Sequence, residues 1–146
     1  MSRVFVSKDT GAAIYVFVND HCPPHVRARH RAEGWTARVR FSFLSGALDL
    51  LSIAPEKKAP LQRVVIRLLG DIRERLSDCR ERWWMANRTV CLTNQWALMR
   101  SDGTVDFLVK RAAGAQQIVD AHYDPLREQL VVAFRDGTTT EVDLRP

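Results

Sequence analysis

From Val26 to Phe43 the chain alternates with period two on either side of a Glu33-Gly34 break, and that pattern has only one economical solution. Trp35, Ala37, Val39, Phe41 and Phe43 fall on one face of the second arm, Thr36, Arg38, Arg40 and Ser42 on the other. The first arm, Val26 to Arg31, puts Val26, Ala28 and His30 inward and Arg27, Arg29 and Arg31 outward. Apolar-in, charged-out alternation on both arms predicts an antiparallel hairpin with one buried face. The buried face then demands something apolar to cover it.

The cover is predicted directly downstream. Leu61, Val64, Val65, Leu68, Leu69, Ile72, Leu76, Cys79 and Trp83 recur at spacings of three and four, with Pro60 where a helix can begin. The spacing predicts one long helix, Leu61 to Asn87, with Asp71 and Arg75 paired on its surface. At 146 residues and 46% hydrophobic, the chain is long enough to bury a core without disulfides or metal.

Around these two features short strands are predicted at 3–7, 12–18 and 48–53. Between 19 and 25 the chain must leave the sheet, because Pro23 and Pro24 donate no hydrogen bond. Further on, Ser101-Asp102-Gly103-Thr104 marks a turn, 112–117 is the one linker-like stretch, and 118–123, 130–134 and 138–144 read as strands. Asp136-Gly137 is a strong hairpin turn between the last two. The expected fold is α+β: a twisted antiparallel sheet packed against one long helix, with a short β-rich C-terminal module. The expected organisation is a basic sheet-plus-helix domain at 1–95, a connecting hairpin or linker at 96–114 and a small acidic module at 115–146. Three short strands rarely stand alone, so the last three are expected to extend the main sheet.

Charge divides along the same line. Residues 1–100 hold 17 of the 22 Lys and Arg but 9 of the 17 Asp and Glu, leaving 5 and 8 for residues 101–146. A basic body with an acidic end suits a polyanion-facing surface or two modules of opposite charge. Cys22, Cys79 and Cys91 are odd in number and form no CxxC pair, which predicts no disulfide framework and a reducing compartment. With no apolar leader and no run near the ~20 residues needed to cross a bilayer, the expected location is cytoplasmic.

The run Asn19-Asp20-His21-Cys22-Pro23-Pro24-His25 resembles the opening signature of the bacterial family described as domain of unknown function 4160. The likeness covers about residues 3–95: a hairpin, this loop, further strands, then a helix closed here by Trp83 and Trp84. Where the family continues Pro-Pro-His-x-His, this chain has Arg27. Residues 115–146 are similar to domain of unknown function 2442, through Leu130-Val131-Val132-Ala133-Phe134-Arg135-Asp136-Gly137 and Val142-Asp143-Leu144-Arg145-Pro146. Genes of the two families often stand side by side in arrangements resembling toxin–antitoxin modules, so the resemblance implies both joined in one chain, of bacterial or phage origin. It implies a fold and a setting, and no reaction.

The candidate site residues follow from the loop and the hairpin. Arg27, Arg29, Arg31, Arg38 and Arg40 on one ribbon face either lie in solvent, meet an acidic partner or track phosphates. His21 and His25 could supply the acid and base of a metal-independent ribonuclease, with nearby arginines for the developing negative charge; the blander role is to satisfy carbonyls of the proline-stiffened loop. A metal site built on His21, His25 and His30 is disfavoured, and no cofactor motif occurs. The leading expectation is a small regulatory protein of toxin–antitoxin type that binds RNA, DNA or an acidic protein through the arginine hairpin. That reading requires no enzymatic activity, cofactor or metal and no membrane contact, leaves a homodimer open, and does not decide whether the chain is also an enzyme. The alternatives are a ribonuclease-like toxin using His21 and His25, and a non-enzymatic inhibitor or subunit.

Overall fold

The hairpin forms where alternation places it, and neighbours extend it on both sides. The structure, a computed structural model, describes residues 1–145, which divide into two units, 1–88 and 89–145. In the first unit β1 (Ser2–Val6), β2 (Ala13–Val16), β3 (His25–His30), β4 (Trp35–Phe41) and β5 (Leu48–Ala54) make one antiparallel sheet in sequence order. Gly34, at φ +74°, takes the left-handed step that closes the β3–β4 turn. Arg31 lies in that turn and not in the strand, so four of the five expected arginines stay on the ribbon.

The inner face of this sheet is the core. Ile14, Val16, Val26, Ala28, Trp35, Ala37, Val39 and Phe41 are buried there, together with Val65, Leu68, Ile72, Leu76, Cys79 and Trp83 from the helical segment. Six of the nine residues of the stripe read from the sequence are thus buried, while Leu61 precedes the helix and is exposed and Val64 and Leu69 are half-buried, and the stripe is carried by two helices. α1 (Gln62–Glu74) ends at Arg75, whose φ of −111° and ψ of 26° interrupt the helix before α2 (Leu76–Asn87). Arg75 N bonds the carbonyls of both Asp71 and Ile72, a local tightening to three-residue bonding. Two anchors flank the break. Asp71 accepts hydrogen bonds from Ser7 Oγ (2.5 Å) and Asp9 N (3.1 Å) in the β1–β2 turn. Arg80, buried, donates to the carbonyls of Ser42 (3.0 Å) and Ser45 (2.9 Å) beyond β4. Bonds to loops at either side of a twisted sheet favour a bend between them. Asp71 is thus not paired with Arg75, which instead reaches Asp78 at 2.6 Å.

In the second unit β6 (Trp96–Met99), β7 (Val105–Leu108), β8 (Gln116–Asp124), β9 (Gln129–Phe134) and β10 (Thr139–Asp143) form a separate antiparallel sheet in the order β10-β9-β8-β6-β7. Contrary to the expectation that the last three strands extend the first sheet, they join the β6–β7 hairpin. Ala97, Ile118, Ala121, Tyr123, Leu130, Val132 and Phe134 are buried. Arg135-Asp136 turns the β9–β10 hairpin and Gly137 follows at φ +88°, with Asp136 accepting from both the amide and the hydroxyl of Thr138.

The expected fold class is corrected by these elements. With 39% strand and 19% helix in two five-stranded antiparallel sheets, the protein is mostly β, not a sheet on one long helix with a short appendage. The physical reason is that a stripe staying in phase across a bend looks continuous in sequence. The short strands at 96–99 and 105–108 show no clean alternation to announce them.

Candidate nucleic-acid interface

Strand register assembles a charged row across the outer face of the first sheet. Arg3 faces Tyr15, Tyr15 faces Arg27, Arg27 faces Arg38 and Arg38 faces Ser52, one residue from each strand. The next row is Ala13, Arg29, Thr36 and Ala54. Directly opposed residues on neighbouring strands stand roughly 5 Å apart at the backbone, so Arg27 and Arg38 hold like charges side by side. The Nε atoms of both are shielded from solvent and have no hydrogen-bond acceptor among the described residues. Arg27 lies over the Phe17 ring at 4.2 Å and 3.6 Å from Asp20. Arg40 is neutralised by Asp49, to which Nε donates at 3.0 Å. Arg29, Arg31 and Arg38 make no ion pair among the described residues, and Arg29 and Arg31 are exposed.

Arg3, Tyr15 and Phe17 belong to this face although sequence reasoning gave them no role. The signal was present: they occupy alternate positions of β1 and of the segment through β2. It became meaningful only once pairing put them beside Arg27.

At the edge of the face the loop between β2 and β3 is folded around Asp20. Its carboxylate, 8% exposed, stands 3.1 Å from His21 Nδ1 and 3.0 Å from His25 Nε2. His25 Nδ1 donates to the carbonyl of Pro23 at 2.8 Å. The approach of Nε2 to Asp20 is out of line, and that nitrogen has no other hydrogen-bond partner. Asn87, the last residue of α2, closes the arrangement by accepting from Asp20 N (2.8 Å) and donating to the Phe17 carbonyl (3.1 Å).

The two histidines are brought together, with rings 5.6 Å apart, but face different surroundings. His21 is 71% exposed in its side chain; His25 is 1% exposed and packs against Trp83 at 5.4 Å. An acid–base pair must reach one substrate from two sides, and a sealed imidazole does not. His30 stands apart, beside Trp35 and accepting from Glu33 N. No three His, Cys, Asp or Glu side chains among the described residues converge in an arrangement to hold a metal ion.

Cys79 is a free thiol sealed between helix and sheet, and burial pushes its pKa up to about 12. No helix of the described residues is long and apolar enough to cross a membrane. The chain matches no family model, no curated protein and no solved structure.

Proposed function

We propose that the outer face of the first sheet binds a polyanion, and that the polyanion is nucleic acid. The observation that carries this reading is the opposed Arg27–Arg38 pair. Register sets two like charges on neighbouring strands; Asp20, 3.6 Å from Arg27, offsets one of them, and the charge of Arg38 is left for an anion to meet. Arg3 and Arg29 extend the charge, and Tyr15 and Phe17 interleave it with aromatic surface, the combination that lets a strand stack its bases while its phosphates are neutralised. A buried His25 favours this binding role over the ribonuclease reading. The toxin–antitoxin setting rests on the motif resemblance alone. A cytoplasmic location likewise rests on the sequence reading alone.

The test is fluorescence anisotropy with a labelled 20-nucleotide single strand between 50 and 300 mM salt, on the full chain and on Arg29→Gln/Arg38→Gln. These two arginines hold no partner in the fold, so the variant should stay folded. The expected result is weaker binding at every salt concentration, with the log–log salt slope shallower by about 0.7 for each phosphate no longer neutralised. Binding that ignores salt, or that the double variant leaves unchanged, overturns the reading. Failure to bind any strand while an acidic protein partner is retained moves the face to the inhibitor or subunit role.

A further inference from the structure

The second unit has a cleft of its own. It is a shallow, open depression of about 560 Å³, lined by Trp96, Arg111, Gln116, Gln117, Arg135 and Asp136. Trp96 opens β6 and sits directly opposite Gln117 of β8, so its half-buried indole forms one wall. Arg111 reaches over that indole, with its guanidinium carbon 5.8 Å from the ring centroid. Arg135 is held at the rim by Gln117, bonding its carbonyl through the backbone N (3.0 Å) and its side-chain oxygen through Nη1 (3.3 Å). Neither arginine makes an ion pair among the described residues. The one acid in the cleft is already engaged: Asp136 accepts from Thr138 N and Oγ1, and from the Gln116 amide at 2.9 Å in the orientation that satisfies both groups.

What remains for a ligand is a flat apolar wall, two cations without counter-ions and the second amide of the glutamine pair. A bare inorganic anion leaves the indole unused, and a neutral aromatic leaves both charges unused. We propose that this cleft takes a nucleotide, with the base stacked on Trp96 in place of the Arg111 guanidinium, which swings off the indole to hold the phosphate together with Arg135. A free nucleoside monophosphate and an unstacked terminal nucleotide of a single strand present the same chemistry. The inference does not depend on the arginine face of the first sheet, since no residue is shared.

The experiment follows the indole N–H resonance of Trp96 in the full chain, assigned by its loss in Trp96→Phe. The probes are AMP, adenosine, inorganic phosphate and a 5′-phosphorylated deoxyadenosine decamer. AMP should shift the resonance saturably and bind at least tenfold more tightly than adenosine or phosphate. Arg111→Gln/Arg135→Gln, a surface change whose folding is checked by circular dichroism, should bring AMP down to the level of adenosine. A decamer that shifts the same resonance at tenfold lower concentration than AMP identifies the strand as the source; parity identifies the free nucleotide. A resonance that no nucleotide moves, or an AMP affinity that the double variant leaves intact, overturns the proposal. Because the arginine-face variant plays no part here, failure of one site does not imply failure of the other.

Discussion

Two carboxylates of the first unit, Asp71 and Asp20, both tie the helices to loops of the same sheet, and they are solved differently. Asp71 at the end of α1 is buried and fully engaged: Ser7 Oγ and Asp9 N both donate to it, while Thr10 Oγ1 bonds Ser7 Oγ at 2.7 Å to complete the cluster. Asp20, pinned through Asn87 at the end of α2, gathers His21, His25 and Arg27, yet leaves His25 Nε2 and Arg27 Nε without hydrogen bonds. A saturated buried cluster is a fastening. A cluster left short of partners beside an exposed basic row is where a ligand finds something to do.

The largest effect expected from this contrast is at Asp71. Replacing it by Ala strands the Ser7 hydroxyl and the Asp9 amide, at a cost of about 2–4 kcal/mol by denaturant unfolding. A loss below about 1 kcal/mol would mean the fastening is redundant. The same residue sets an acid limb. Burial alone raises the Asp71 carboxyl, but the bonds from Ser7 and Asp9 outweigh it and hold the group below its ordinary value of 3.8. Its folded value being depressed, its contribution is complete above 3.8 and drains away as pH falls through the folded value. Asp71→Asn should therefore flatten the loss of stability at the acid end. An acid limb identical in both proteins would assign it to other carboxylates.

The second anchor should matter less. Asn87→Ala removes the acceptor for Asp20 N and the donor to the Phe17 carbonyl, for about 1–2 kcal/mol. Alkylation of Cys79 at pH 8 separates the two anchors within the helices, since the sealed thiol reacts only through opening. Asp71→Ala should expose it faster than Asn87→Ala, because at an equal eight residues from Cys79 the Asp71 bonds are made by a charged group and one of them is fully buried. Equal rates would show that the helix pair opens as one body. The smallest effect belongs to His21→Ala: with its side chain mostly in solvent, the change should stay within about 0.5 kcal/mol. A larger cost would mean that His21 helps hold Asp20 in place.

Much of the first unit could be read without coordinates. Alternation across β3 and β4 depends on neighbours two residues apart, so it is written locally, and the buried Trp35, Ala37, Val39 and Phe41 are the ones it named. The helical stripe is local too, and Val65, Leu68, Ile72, Leu76, Cys79 and Trp83 pack as spaced. The break at Arg75 was not legible, because no proline or glycine marks it. It depends on bonds to Ser7, Asp9, Ser42 and Ser45, which lie between 35 and 64 residues away for those measured side chain to partner.

The candidate site divides in the same way. The sequence alone determined that arginines line one side of a ribbon and that a proline-stiffened loop carries His21 and His25, since both follow from spacing and from the missing amide donors of proline. Tertiary structure decided that Arg3 and Tyr15 complete the row with Arg27 and Arg38, that Arg40 is spent on Asp49, and that His25 is sealed beneath Asp20 against Trp83. It also decided that Trp96, Arg111 and Arg135 share one cleft. Periodicity tells each side chain which face it occupies; which strand lies beside it, and therefore which charge meets which partner, is set by pairings between residues far apart in the chain.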